Sequence, residues 1–216
     1  MSGEQKINPN FDFEQKLWRQ GYEIIVGLDE VGRGPLAGPV VAGAFCFFQK
    51  QNAPKDNEAI KIFKGVRDSK RLSEKQREKM YGILTGHPAI RWAIGMASEK
   101  IIDEINILEA TKLAMKEALK NLKLRPDFLL LDGNFVLEDL SVSQQSVIRG
   151  DEKIFSCAAA SIIAKVTRDR LMKNLHKKYP DYGFEKHKGY GTREHLRAIK
   201  ESGPCEIHRL SFAPFR

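Results

Sequence analysis

Four carboxylates carry the chemistry this sequence could do. Asp29 and Glu30 stand side by side at the end of an apolar run, Ile24, Ile25, Val26 and Leu28, of the kind that forms a buried strand. Asp132 ends a second such run, Phe128-Leu129-Leu130-Leu131, ahead of a tight turn at Gly133-Asn134. That places it at the carboxyl edge of the sheet, where open α/β folds hold their ligands. Asp169 lies on a helix expected over residues 155–179, with an apolar stripe through Phe155, Ala158, Ala159, Ile162 and Val166. At the helical period it falls within roughly 20° of Ile162. Acids beside a low-dielectric core raise one another's pKa unless a cation lies between them, and an unpaired inward carboxylate is costly. A divalent cation held jointly by all four relieves both penalties. Hard oxygen ligands select Mg²⁺ or Mn²⁺ over zinc, and two such ions about 3.5 to 4 Å apart support in-line attack of water on a phosphodiester. An internal salt bridge from Asp169 to Lys165 is the competing account. Successive strand residues face opposite sides, so Asp29 and Glu30 share a site only if the strand ends or bulges there.

The loop after the first pair, Gly32-Arg33-Gly34-Pro35-Leu36-Ala37-Gly38-Pro39, lets backbone approach a ligand closely and offers the planar fork of Arg33 to a phosphate. It fits three readings: a plain strand and turn, a loose dinucleotide fingerprint, or a phosphate-gripping loop beside a metal pair. The fingerprint should open a helix, whereas Val40-Val41-Ala42-Gly43-Ala44-Phe45 reads as another strand. The downstream acids favour the third reading. Ser69, Lys70 and Arg71 precede a helix that Ser73 caps, with Gln76 completing a capping box; a phosphate seat and a capped surface helix both fit. Tyr190, between Gly189 and Gly191, is suited to stack on a sugar or base, with Lys186, His187 and Lys188 suited to phosphates. A packed tyrosine in a solvated loop is the alternative.

These residues need elements to position them. The pattern predicts a short amphipathic helix over 10–19, strands over 23–29 and 40–48 paired antiparallel through their short connection, and a surface loop over 49–65. A helix follows over 74–84, then a strand over 90–97 with Ile90, Trp92, Ile94 and Met96 on one face. A long helix capped by Ser98 and interrupted near Asn106 reaches 122. Strands over 127–132 and 143–148 precede the helix bearing Asp169, and Thr192 caps a last helix over 193–200. The organisation expected is an N-terminal extension, 1–22, and one catalytic domain, 23–216. With 36 Lys plus Arg against 28 Asp plus Glu, the net charge of +8 favours a polyanionic partner. Cys46, Cys157 and Cys205 form no Cys-x-x-Cys pair and read as reduced thiols of a cytoplasmic protein. No run is apolar enough to span a bilayer, so no membrane association is expected.

In order along the chain stand Asp29-Glu30-Val31-Gly32-Arg33-Gly34, Asp68-Ser69-Lys70, Leu131-Asp132-Gly133 and Gly150-Asp151. They are followed by Ala158 to Lys165 leading into Arg168-Asp169-Arg170, then His187-Lys188-Gly189-Tyr190-Gly191-Thr192, then His208-Arg209-Leu210-Ser211-Phe212. Over about 24–214 this set resembles ribonuclease HII, the type 2 ribonuclease H family. The resemblance implies an α/β, ribonuclease H-like fold, with a mixed central β-sheet flanked by α-helices. It implies hydrolysis of the RNA strand of RNA/DNA hybrids and incision 5′ of single ribonucleotides in duplex DNA, leaving 3′-hydroxyl and 5′-phosphate ends. Asp29, Glu30, Asp132 and Asp169 become the ligands of Mg²⁺ or Mn²⁺. Gly32, Arg33 and Gly34 would read the ribose 2′-hydroxyl and its phosphate, and Tyr190 would stack on the following sugar. Ser69, Lys70, Lys165, Arg168 and Lys188 lie in matching motifs and are expected to add substrate contacts. The type 3 relatives are disfavoured, because their usual loop lacks arginine at the Arg33 position. Action as a monomer is expected. A catalytically silent hybrid-binding module on the same fold is the alternative, and the acids discriminate: a binder gains nothing from negative charge concentrated near a phosphate.

Overall fold

The computed structural model describes residues 8–47 and 63–216. Most of the expected 49–65 loop, residue 48 of the second expected strand and the first seven residues lie outside that range. Five strands, β1 (Ile25–Val31), β2 (Val40–Phe47), β3 (Ile90–Ala97), β4 (Phe128–Asp132) and β5 (Ser143–Val147), form one sheet in the order β3-β2-β1-β4-β5. The short β1–β2 connection permits only an antiparallel pair, and β3 is antiparallel to β2. The chain then crosses over through helices, so β4 is parallel to β1 and β5 to β4. The sheet is therefore mixed.

Helices cover both faces: α1 (Asp12–Arg19), α2 (Glu74–Gly86), α3 (Glu99–Leu122), α4 (Gly150–Lys153), α5 (Phe155–Lys178), α6 (Phe184–His187) and α7 (Arg193–Ser202). The pleat sorts the strand residues between two apolar clusters. Ile25, Phe45, Phe47 and Leu130 pack with α1 and α5, while Val26, Leu28, Leu129 and Leu131 pack with α3. Gly27 and Gly43 let α5 settle directly onto β1 and β2: a methyl at Gly43 would lie 2.4 Å from the carbonyl oxygen of Ala160. Among the described residues no helix is long and apolar enough to cross a membrane.

The expected caps are present: Ser73 and Gln76 close a capping box, and Ser98 and Thr192 accept backbone N–H groups of α3 and α7. Asn106, at φ 68°, interrupts α3 as expected, and its side-chain oxygen accepts from the N–H groups of Leu108 and Glu109, recapping the second half. In β3 the expected face holds for Ile90, Trp92 and Ile94, which pack on the cluster beneath α5, and fails only at Met96. Met96 is exposed, and the residues buried against α3 are Ala93 and Ala97, flanking Gly95. Small residues allow the helix to close on the strand, so burial there follows the room available, not side-chain bulk.

Helix α1 inserts a carboxylate into the core. Glu14 is buried, and its Oε1 accepts the N–H of Ser156 at 2.8 Å, serving the first turn of α5 from outside. Burial pushes the Glu14 pKa up to about 7, against the lowering effect of the Ser156 amide and hydroxyl. Below about pH 4.5 both folded and unfolded chains hold this proton. Between there and pH 7 the unfolded chain ionises first, so stability falls as pH rises, by up to about 3 kcal/mol. Glu14→Gln should therefore be more stable than the parent at pH 8 and equal to it near pH 4, in thermal melts at both values. An advantage independent of pH would contradict this origin.

Candidate active site

The sheet brings the first two acids together. In the parallel pair, Leu28 stands beside Leu131, so Asp29 and Asp132 come one step beyond, on the face covered by α5. Asp132 Oδ1 accepts the N–H of Gly150 at 2.7 Å, which ties the start of α4 to the end of β4. The next residue, Asp151, is thereby delivered to the same place. Carboxylate oxygens of Asp29, Asp132 and Asp151 lie within 4.8 Å of one another, the one such group among the described residues.

Their electrostatics fit a cation site. Burial, then the charges of Glu30 and Asp132, push the Asp29 pKa well above the carboxylate range, although the Ser161 hydroxyl donates to it. Burial, then Asp132, raises Asp151 to about 6, opposed by Lys70, whose Nζ lies 3.5 Å from Asp151 Oδ2. The Lys70 side chain is 78% exposed and reaches only the rim of the group. Converging hard oxygens with so little internal compensation are suited to a divalent metal. Glu30 occupies the opposite pleat, because β1 stays regularly paired through Val31 without a bulge. It remains close enough for the Asp132 charge to raise its pKa, second to burial and against Arg33 at 3.4 Å.

Asp169 is not in this group. Its Oδ1 receives Lys165 Nζ at 2.7 Å and its Oδ2 lies 3.8 Å from Arg77 Nη2, so the internal salt bridge is what the structure contains. The helical wheel reports angle and is blind to distance along the axis. Ser161 is the α5 residue level with Asp29, and Asp169 follows eight residues later, about 12 Å farther on. Asp151 stands in its stead.

The glycine loop is held from beneath by two buried arginines. Arg168 donates to the carbonyls of Ala37, Pro39 and Lys188 at 2.9–3.1 Å. Arg209 donates to those of Gly32, Arg33 and Gly38 at 2.6–2.9 Å. Burial lowers the Arg168 pKa to about 10 and, with Arg168 nearby, that of Arg209 to about 9. Gly32, at φ +93°, could not carry a side chain, since a methyl there would lie 2.2 Å from Arg168 Nε. Above this frame the Arg33 side chain is 42% exposed. Tyr190, 43% exposed, flanks the loop; a methyl at Gly34 would sit 3.8 Å from its Cε1.

Other expected substrate contacts are engaged within the protein. Ser69 is buried with its Oγ 3.0 Å from Ser161 Oγ, Lys165 is engaged with Asp169, and Arg168 is fully enclosed. His187 is buried and bonded to the Tyr182 carbonyl. Lys188 Nζ is half-buried, bonded to the Glu185 carbonyl. Asp151 and Arg209 stand in two of the motifs, but neither was assigned a role there. The signal for Asp151 was present: an acid directly after Gly150, following a strand adjacent to the one that ends in Asp132.

The family model described as ribonuclease HII matches residues 26–215. The chain belongs to the ribonuclease HII family. A ribonuclease HII of Chlamydia caviae is 53% identical over 204 residues, spanning 94% of this chain and 91% of its own length. Among solved structures, the ribonuclease H2 of Pyrococcus horikoshii superposes with a TM-score of 0.67 at 28% identity, covering 89% of this chain and 95% of its own. The ribonuclease HII of Archaeoglobus fulgidus, solved in complex with PCNA, gives 0.70 at 28% identity, covering 88% and 95%. Family membership makes this a metal-dependent endoribonuclease acting on RNA/DNA hybrids, and the mixed five-stranded sheet is the family's fold.

Proposed function

We propose that this enzyme also incises duplex DNA 5′ of a single embedded ribonucleotide, leaving 3′-hydroxyl and 5′-phosphate ends. The observation that carries this reading is the adjacency of three parts: the Asp29–Asp132–Asp151 group, the glycine loop and the exposed ring of Tyr190. Asp29, Asp132 and Asp151, with Glu30 at the edge, would hold Mg²⁺ or Mn²⁺. A pair of such ions, when bound, supplies Lewis acidity toward the phosphodiester and a stronger water nucleophile near neutral pH.

The remaining work falls to the chain itself. Backbone groups of Gly32 and Gly34 and the guanidinium of Arg33 bind the 2′-hydroxyl, the group that separates RNA from DNA, and its phosphate. Arg168 and Arg209 keep that loop in its conformation. Lys70 faces the phosphate from the rim. Tyr190 stacks on the next sugar and favours deoxyribose, selecting the RNA-to-DNA junction. Asp169, with Lys165 and Arg77, braces α5 against α2. Residues 23–216 act as the catalytic domain, with α1 as a strap on it. The free thiols of Cys46, Cys157 and Cys205 support action in the cytoplasm, and a single copy of the chain is proposed to act.

Tyr190→Ala should reduce incision at a lone ribonucleotide by about tenfold and cleavage of long hybrids by less. Equal losses in the two assays would argue against stacking. The reading as a whole is tested with a duplex holding one ribonucleotide, incubated with Mg²⁺ or Mn²⁺ and mapped for product ends. Cutting 3′ of the ribonucleotide, or none, would refute it.

A further inference from the structure

Three histidines pack beneath the Tyr190 loop and take no part in the chemistry described so far. His187 stacks on His195, with ring centroids 4.6 Å apart, and His195 Nε2 lies 3.0 Å from His208 Nε2. Such a contact holds only if one nitrogen carries a proton and the other does not. Both ends of the pair settle which. His195 Nδ1 is 3.0 Å from the carbonyl oxygen of Tyr190, which can only accept, so His195 is protonated at Nδ1 and bare at Nε2. His208 Nδ1 lies 2.9 Å from the backbone N of Cys205, nearer than the 3.3 Å to the Cys205 carbonyl oxygen, so it accepts the N–H and its own proton sits on Nε2. The two assignments agree. A directed chain results: Cys205 N–H to His208, His208 Nε2–H to His195, His195 Nδ1–H to Tyr190. Burial, with His187 and His208 alongside, holds the His195 pKa at about 4, as a relay of neutral rings requires.

The anchor of this chain has a second grip. His208 pairs with Ala37 in an isolated bridge, and the next residue, Arg209, binds the carbonyls of Gly32, Arg33 and Gly38. One dipeptide thus holds the ribose-reading loop through Arg209 and the Tyr190 peptide through His208 and His195. We infer that His195 and His208 are positioning residues for junction selection, fixing the Tyr190 ring at a set spacing from the Gly32–Gly34 loop. The inference rests on the stacking role proposed for Tyr190.

The test compares full-length wild type, Tyr190→Ala, His195→Ala, His195→Asn and the Tyr190→Ala/His195→Ala double variant. Each is assayed on a single-ribonucleotide duplex and on a long hybrid. His195→Ala should lower the ratio of the first activity to the second about tenfold, the scale on which small misplacements act. The Asn variant, whose amide N–H can replace Nδ1–H toward Tyr190, should recover most of it. In the Tyr190→Ala background, His195→Ala should move the ratio by less than about twofold, because both changes act through one ring. Independent losses in the double variant, or no effect of His195→Ala where Tyr190→Ala has one, would overturn the relay alone. No change of ratio in Tyr190→Ala would overturn the stacking role and with it the inference. Should His195→Ala fail to fold, nitrogen NMR of the wild type decides. Nδ1–H on His195 with Nε2–H on His208 is expected, and the reverse tautomers refute the relay.

Discussion

Asp151→Asn is expected to abolish cleavage, with kcat reduced about a thousandfold or more, as loss of a central electrostatic group at a reacting phosphate produces. Asp29→Asn should behave alike, while both variants keep their affinity for hybrid, since each removes negative charge from beside a phosphate. Asp169→Asn is the informative contrast. It weakens the contacts to Lys165 and Arg77 and should cost about 2 kcal/mol of stability, leaving cleavage within about tenfold of wild type. Single-turnover cleavage and hybrid binding, measured with denaturant melts, separate these outcomes. An active Asp151→Asn beside a folded but inactive Asp169→Asn would restore Asp169 as the fourth ligand and overturn the assignment.

Gly43→Ala is expected to be strongly damaging for a single added methyl. Gly43 pairs with Asp29 across β1 and β2, and the added carbon would lie 2.4 Å from the backbone oxygen of Ala160. Backbone cannot swing aside as a side chain can, so α5 must lift from the sheet at a cost of about 3 kcal/mol. The helix carries Ser161, which donates to Asp29, so activity should fall with stability. Gly82→Ala supplies the comparison: Gly82 is exposed on α2 with nothing within 4 Å of the added carbon, and the change should stabilise by about 0.5–1 kcal/mol. Equal midpoints in urea for the two variants would show that α5 has slack at Gly43.

Much of this arrangement was legible in the residues. The apolar runs ending in Asp29 and Asp132 marked two central strands, and their place at the carboxyl edge followed from the strand-then-turn pattern. The capping residues Ser73, Ser98 and Thr192 fixed three helix starts, because side-chain oxygens there satisfy N–H groups locally. What failed was long-range. The periodicity of α5 placed Asp169 on the inward side yet carried no information about height along the axis, and the nearby Lys165 satisfied it. That pairing engages Asp169 apart from the other acids, and the proposed metal centre rests on Asp151 in its place. Asp151 sits on a single helical turn too short to show a period. Arg168 and Arg209 were opaque for another reason: a basic residue in a basic chain reads as surface, and only the fold reveals carbonyls converging on it.

Arg209 reaches back 177 positions to Gly32, so the glycine loop, though made early, lacks its fastener until residue 209 has been synthesised. A nascent chain can assemble its strands well before this loop is fastened. Without Arg209 three carbonyls of the loop lose their donors, so the order of an early segment depends on a residue made long after it.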